Sequence, residues 1–118
     1  MTDLGGLTTL RRLDLSHNGL IAVPPGWFVK WSNMERLWLS HNQLSTLPAD
    51  DLGRMARTLE ELHLDHNRLD AVPTELAKLT RLRVLRLDDN SIEELPAQLG
   101  NLTQLERLDV GTQQGRLR

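Results

Sequence analysis

The chain has 118 residues, with 14 basic against 16 acidic side chains, a net charge of −2, 26 leucines, one Phe and neither Tyr nor Cys. Without Cys there is no disulfide framework, Cys-based zinc site, thiolate nucleophile or iron–sulfur cluster. The near balance of charge is poorly suited to nucleic acid, whose binding depends on neutralising phosphates. A core made almost only of Leu points to one small packing problem solved repeatedly.

No apolar run approaches the ~18 residues of a transmembrane span. The stretch from Met1 to Leu10 lacks both the basic and the long apolar segment of a signal peptide. With disulfide-bonded end caps excluded, the composition favours a cytoplasmic protein. Asn101-Leu102-Thr103 is a formal glycosylation acceptor of a kind frequent by chance.

Aligned on itself, the chain gives four copies of one frame. They run Leu10-RRLDLSHNGLIAV-Pro24, Met34-ERLWLSHNQLSTL-Pro48, Leu59-EELHLDHNRLDAV-Pro73 and Leu82-RVLRLDDNSIEEL-Pro96. The shared pattern is L-x-x-L-x-L-x-x-N-x-L-x-x-L-P, and its asparagines fall at Asn18, Asn42, Asn67 and Asn90, in steps of 24, 25 and 23 residues. A fifth copy begins at Leu105 and keeps Leu108 and Val110, then loses the pattern, with Gln113 in place of Asn and Gly115 in place of Leu. A half copy precedes the first, since the spacing of Leu4, Leu7 and Leu10 matches that of Leu76, Leu79 and Leu82.

These motifs resemble the leucine-rich repeat family, most closely its intracellular subclass with a repeat of about 23 residues. The resemblance covers essentially the whole chain. It implies an α/β solenoid, a curved right-handed superhelix with a parallel concave β-sheet of about five short strands and short helices or 3₁₀ turns on the convex side. Residues 1–118 then read as a single leucine-rich-repeat domain. It has a half repeat over 1–9, repeats starting near 10, 34, 59 and 82, and a degenerate partial repeat over 105–118.

Elementary geometry leads to the same elements. In L-x-L the two leucines share one strand face, so Leu13/Leu15, Leu37/Leu39, Leu62/Leu64, Leu85/Leu87 and Leu108/Val110 are expected to point into the coil. The Asn amides are expected to bond buried backbone groups of their own and neighbouring coils, as a ladder of Asn18, Asn42, Asn67 and Asn90. Each L-P pair then ends that stretch, because Pro lacks a donor and fixes φ. The return segments, such as 74–80, have room for about two helical turns or 3₁₀ turns. Two of them are longer: Pro24 to Met34 by one residue and Pro48 to Leu59 by two, relative to Pro73 to Leu82. Trp27, Phe28 and Trp31 are expected to fill the wider gap as core; an aromatic patch on the convex side is the alternative. Neither end looks capped, which reads as a module of a longer chain with further repeats or domains.

With Leu and Asn committed to the frame, specificity falls to the variable positions. Trp38 stands between Leu37 and Leu39, so strand alternation turns it away from the core, into the middle of a charged face. The partner-binding set is Trp38, Arg12, Arg36, Asp14, His63, Glu61, Arg86, Asp88, His41 and His66. A mosaic of both signs suits a protein partner, and an excess of Arg over Lys, 12 against 2, favours forked, planar contacts. The plainer alternative is a solvated sheet in which neighbouring charges pair and Trp38 lies flat on Arg12, Arg36 or His63.

His17, His41 and His66 share the position before the Asn and are expected to form a column, with His63 nearby and Asp65 as a further ligand type. Because repetition alone produces such a column, no metal is assigned, and no cofactor either. Catalysis has little support: Ser16 and Ser40 lack an orienting pocket for their neighbouring His, and there is no Gly-rich phosphate loop. The reading is a non-enzymatic protein-interaction module that binds a protein or peptide on its concave face, in intracellular signalling or scaffolding. It has no nucleic-acid partner and no membrane insertion. The alternatives are a recognition or regulatory segment of a larger enzyme (kinase, phosphatase, GTPase or ubiquitin ligase), and a structural stretch of a longer scaffold.

Overall fold

A computed structural model describes residues 8–113. Leu4 and Leu7 of the half repeat and the tail from residue 114 lie outside the described residues. Five three-residue strands, β1 (Arg12–Asp14), β2 (Arg36–Trp38), β3 (Glu61–His63), β4 (Val84–Arg86) and β5 (Arg107–Asp109), form one parallel sheet in sequence order. Every pair is in repeat register. Leu13, Leu37, Leu62, Leu85 and Leu108 make one row across the sheet.

The L-x-L pairs face inward as alternation requires. Leu37, Leu39, Leu62, Leu64, Leu85 and Leu87 are fully buried. On the edge strands, which have a neighbour on one side only among the described residues, Leu13 and Val110 are half-buried and Leu108 is 40% exposed.

The ladder forms with near-identical geometry in the three central coils. Asn67 Nδ2 donates to the carbonyls of Leu39 and Leu64 at 3.0 Å and of Asp65 at 3.2 Å, while its Oδ1 accepts from Leu44 N at 3.0 Å. Asn42 and Asn90 repeat this arrangement one coil either way. Asn18 bonds the carbonyls of its own coil, Leu15 and Ser16. The fifth coil departs from the expected loss of pattern. Gln113 Nε2 donates to Leu87 O at 2.9 Å and Val110 O at 3.0 Å, and its Oε1 accepts from Ile92 N at 2.9 Å. A carboxamide one methylene longer carries the ladder through a further rung.

The residue before each rung is left-handed in every coil: His17, His41, His66, Asp89 and Thr112 have φ between 54° and 60°. This turn swings the chain off the strand. The amides of His17, His41, His66 and Asp89 then donate to Ser40, Asp65, Asp88 and Gly111 of the next coil. His and Asp accept this conformation more readily than most non-Gly residues; β-branched Thr does so least.

Return-segment length selects the helix type. The two shorter segments hold 3₁₀ helices, Thr74–Lys78 and Ala97–Asn101. The two longer ones hold short α-helices, α1 (Trp27–Lys30) and α2 (Ala49–Leu52), the second running into a 3₁₀ turn, Gly53–Met55. A 3₁₀ helix rises more per residue, so it spans the same coil with fewer residues. In all four segments the L-P proline supplies the first turn's acceptor, Pro24, Pro48, Pro73 and Pro96 bonding Trp27, Asp51, Leu76 and Leu99. Trp27, Phe28 and Trp31 are buried, at 4%, 0% and 0% exposure, with ring centroids 5.4 Å apart for Trp27–Trp31 and 6.1 Å for Phe28–Trp31. They are core, and no convex aromatic patch exists among the described residues.

Candidate binding face

The sheet presents three outward rows. One runs Arg12, Arg36, Glu61, Val84, Arg107; the next Asp14, Trp38, His63, Arg86, Asp109. The third, just past the strands, holds Ser16, Ser40, Asp65, Asp88 and Gly111. The left-handed column of His17, His41, His66 and Asp89 borders it.

Trp38 is half-buried. Its indole stacks on His63 with centroids 5.4 Å apart and planes 12° from parallel. One face is thus committed to His63, and the other looks toward the strand that carries Asp14. This corrects the place of His63: rather than an exposed member of the face it is 8% exposed, roofed by Trp38 and bonded through Nε2 to Glu61 Oε1 at 3.1 Å. Nδ1 of His63 is buried without a hydrogen-bond partner among the described residues. The tautomer with its proton on Nε2 fits both facts, since it leaves only a bare acceptor unpaired.

The charges around Trp38 are largely paired with one another. Arg36 meets Glu61 at 3.2 Å, Arg11 meets Glu35 at 3.9 Å, and Arg83 bridges Glu60 and Glu106. Arg86 gathers Asp88 and Asp109 at 3.2 Å and Asp65 at 3.5 Å. Asp65, 2% exposed, also accepts from Ser40 Oγ at 2.6 Å. Of the cations on the two strand rows, Arg12 alone has no ion pair among the described residues, and it is exposed. The mosaic expected from sequence therefore splits. Arg36, Glu61, Arg86 and Asp88 are half-buried in mutual pairs, whereas Arg12, Asp14 and His41 are exposed beside Trp38 or the column.

Three carboxylates are held below their ordinary pKa. Asp14 is lowered first by the Ser16 side chain and then by the Ser16 backbone N–H, which donates to Asp14 Oδ1 at 2.9 Å. Asp109 is lowered by its hydrogen bond from Arg107, helped by Arg86, and Glu106 by Arg83.

The histidine column is realised as parallel rings, His17–His41 at 4.3 Å and His41–His66 at 4.1 Å, closed by Asp89, whose Oδ2 lies 2.6 Å from His66 Nδ1. Gln113 and Asp89 are the working residues that sequence reading passed over; Asp65 stands where it was expected, beside the column. For Gln113, the 23-residue step from Asn90 was the available signal.

A parallel-sheet solenoid with a carboxamide ladder and a chemically varied outer face defines a class of repeat protein, and comparison with known sequences assigns it. The family model described as "Leucine rich repeat" matches residues 8–58 and 57–112; the chain belongs to the leucine-rich repeat family. Among curated proteins it is similar to podocan-like protein 1 of Mus musculus, 38% identical over 85 residues, which is 70% of this chain and 14% of that protein. It is also similar to mouse Tsukushi, 43% identical over 67 residues (57% and 18%), and to rat leucine-rich repeat and fibronectin type-III domain-containing protein 4, 40% identical over 57 residues (48% and 9%). The chain thus spans less than a fifth of the length of these relatives. No helix among the described residues is long and apolar enough to cross a membrane.

Proposed function

We propose that the chain is a protein-interaction module that binds a protein or peptide on its concave sheet, with Trp38 as the central anchor. The observation that carries this reading is a large aromatic side chain, half-exposed at the middle of a rigid parallel sheet and braced by His63. Trp and Arg are enriched among the residues that dominate binding energy, and beside Trp38 stands the exposed Arg12, without an ion pair among the described residues. The ladder fixes the coils before any partner arrives, so little ordering entropy is lost on binding. The self-paired charges Arg36–Glu61 and Arg86–Asp88 contribute shape and specificity more than affinity.

Residues 1–118 act in this proposal as one domain of the 23-residue intracellular subclass. A cytoplasmic role in signalling or scaffolding, without enzymatic activity, is inferred from the absence of Cys and of a catalytic constellation in the sequence. The relatives lend the compartment no support.

Capture of partners on immobilised wild-type chain and on Trp38→Ala tests the proposal. The substitution is expected to weaken the captured partner by on the order of 2 kcal/mol with the fold retained. Equal recovery by both chains overturns it.

A further inference from the structure

The column of residues before the ladder changes chemistry at one place. Its first three members are His17, His41 and His66, and the fourth is Asp89. One position earlier the series runs Ser16, Ser40, Asp65, Asp88. A carboxylate therefore enters beside the rings at the third coil. There, one ring nitrogen of His41, one of His66 and a carboxylate oxygen of Asp65 lie within 4.8 Å of one another.

Repetition explains the stacked rings but not how these atoms are oriented. His66 Nδ1 sits 2.6 Å from Asp89 Oδ2; in the neutral ring the proton on Nδ1 donates there and Nε2 carries the lone pair. That Nε2 lies 3.9 Å from Asp65 Oδ2. Ser40 Oγ occupies the other carboxylate oxygen, Oδ1, at 2.6 Å, which leaves Oδ2 to face His66. Arg86 also approaches Oδ2, at 3.5 Å, yet it keeps Asp88 and Asp109 at 3.2 Å when Oδ2 turns to another cation. A carboxylate on the outer nitrogen of a histidine is the device that fixes tautomer and raises ligand basicity in metal sites.

We propose that His41, His66 and Asp65 bind a divalent transition-metal ion of the zinc type, with Asp89 as a positioning residue and water as the fourth ligand. Two imidazoles, one carboxylate and one open position suit tetrahedral zinc. Bonds of ~2.0–2.1 Å set tetrahedral ligand atoms about 3.4 Å apart. The His66–Asp65 pair closes by roughly half an ångström to reach that separation. The exposed His41 ring supplies the remaining movement by turning from its stacks on His17 and His66. Asp65, buried and doubly held, is the fixed ligand. The site borders the proposed partner face, sharing His41 and His66 with it, and needs no protein ligand.

Calorimetric titration of zinc chloride into the 118-residue chain at neutral pH tests the site. One ion per chain is expected, at micromolar affinity, lost in Asp65→Asn and His66→Ala and retained within a few-fold in His17→Ala. Asp89→Asn is expected to weaken binding by about ten- to a hundredfold with an unchanged circular dichroism spectrum. Nitrogen NMR of the wild-type histidines adds a readout that no variant's folding can disturb, and is expected to show zinc on Nε2 of His66 with the proton kept on Nδ1. Absence of heat and of NMR shifts at millimolar zinc overturns the proposal. So does equal loss in His17→Ala and His66→Ala, or zinc on Nδ1 of His66.

Discussion

Trp38 lies over His63 with its plane 12° from parallel and the two centroids 5.4 Å apart, directly across the β2–β3 register. The pair is therefore part of the sheet's stability as well as of its outer face. A double-mutant cycle of Trp38→Ala and His63→Ala in urea unfolding is expected to give a coupling energy of about 0.5–1.5 kcal/mol. Additive effects would mean the rings merely lie near each other.

The ladder rungs differ in depth, and their deletion is expected to differ accordingly. Asn67→Ala strips three carbonyls and one amide of their partners in a buried setting and is expected to cost about 3 kcal/mol or more. Gln113→Ala, at a half-buried rung, is expected to cost about 1 kcal/mol. Urea midpoints of the two variants, with unchanged slopes, check the order.

Acid is expected to destabilise the chain through Asp14, Asp109 and Glu106. Each has a folded pKa below its ordinary value of 3.8 or 4.5. In the window below those values the unfolded chain binds more protons than the folded one, so stability rises with pH there. The contribution is fully present above the unfolded pKa values and is lost as pH falls through the folded ones. Unfolding curves at neutral pH and near pH 3 are expected to show this loss, and Asp109→Asn is expected to reduce it.

At Thr112 a β-branched residue is held at φ 54°. Thr112→Gly is expected to raise stability by up to about 1 kcal/mol by removing the clash of Cβ with the backbone. At His66, with φ 56°, the same change is expected to bring no gain, because the stack on His41 and the bond to Asp89 go with the ring. Thermal melts of the two glycine variants distinguish these outcomes.

Strand direction, register and the Leu and Asn positions were legible in the sequence because each follows from a spacing: two residues for a strand face, 23 to 25 for a coil. Exposure on the outer face was not legible in the same way. Alternation says that Trp38, His63 and Arg86 point outward, but not that the indole folds down over His63 or that Arg86 draws Asp65, Asp88 and Asp109 around itself. Those outcomes depend on side-chain size across neighbouring strands. Gln113 was passed over because a longer carboxamide was not credited with the same bonds. The split between α and 3₁₀ return segments lay in segment lengths whose meaning appears only when each coil must span the same gap.

The in-register rows also govern what the chain tolerates as a unit of change. The rungs of Asn42, Asn67 and Asn90 join a coil to its neighbour by the same atoms, and solenoid stability is a sum over coils and their interfaces. Excising residues 43–67 would join two coils without creating a new kind of backbone contact, passing the ladder from Asn42 to Asn90. On the outer face the same cut would bring Trp38 beside Arg86, exchanging a ring stack for a guanidinium over an indole. Whole-coil gain and loss thus reshuffles surface chemistry while the scaffold stays unchanged, which gives such an array a combinatorial route to new partners that point substitution in a single-core domain does not have.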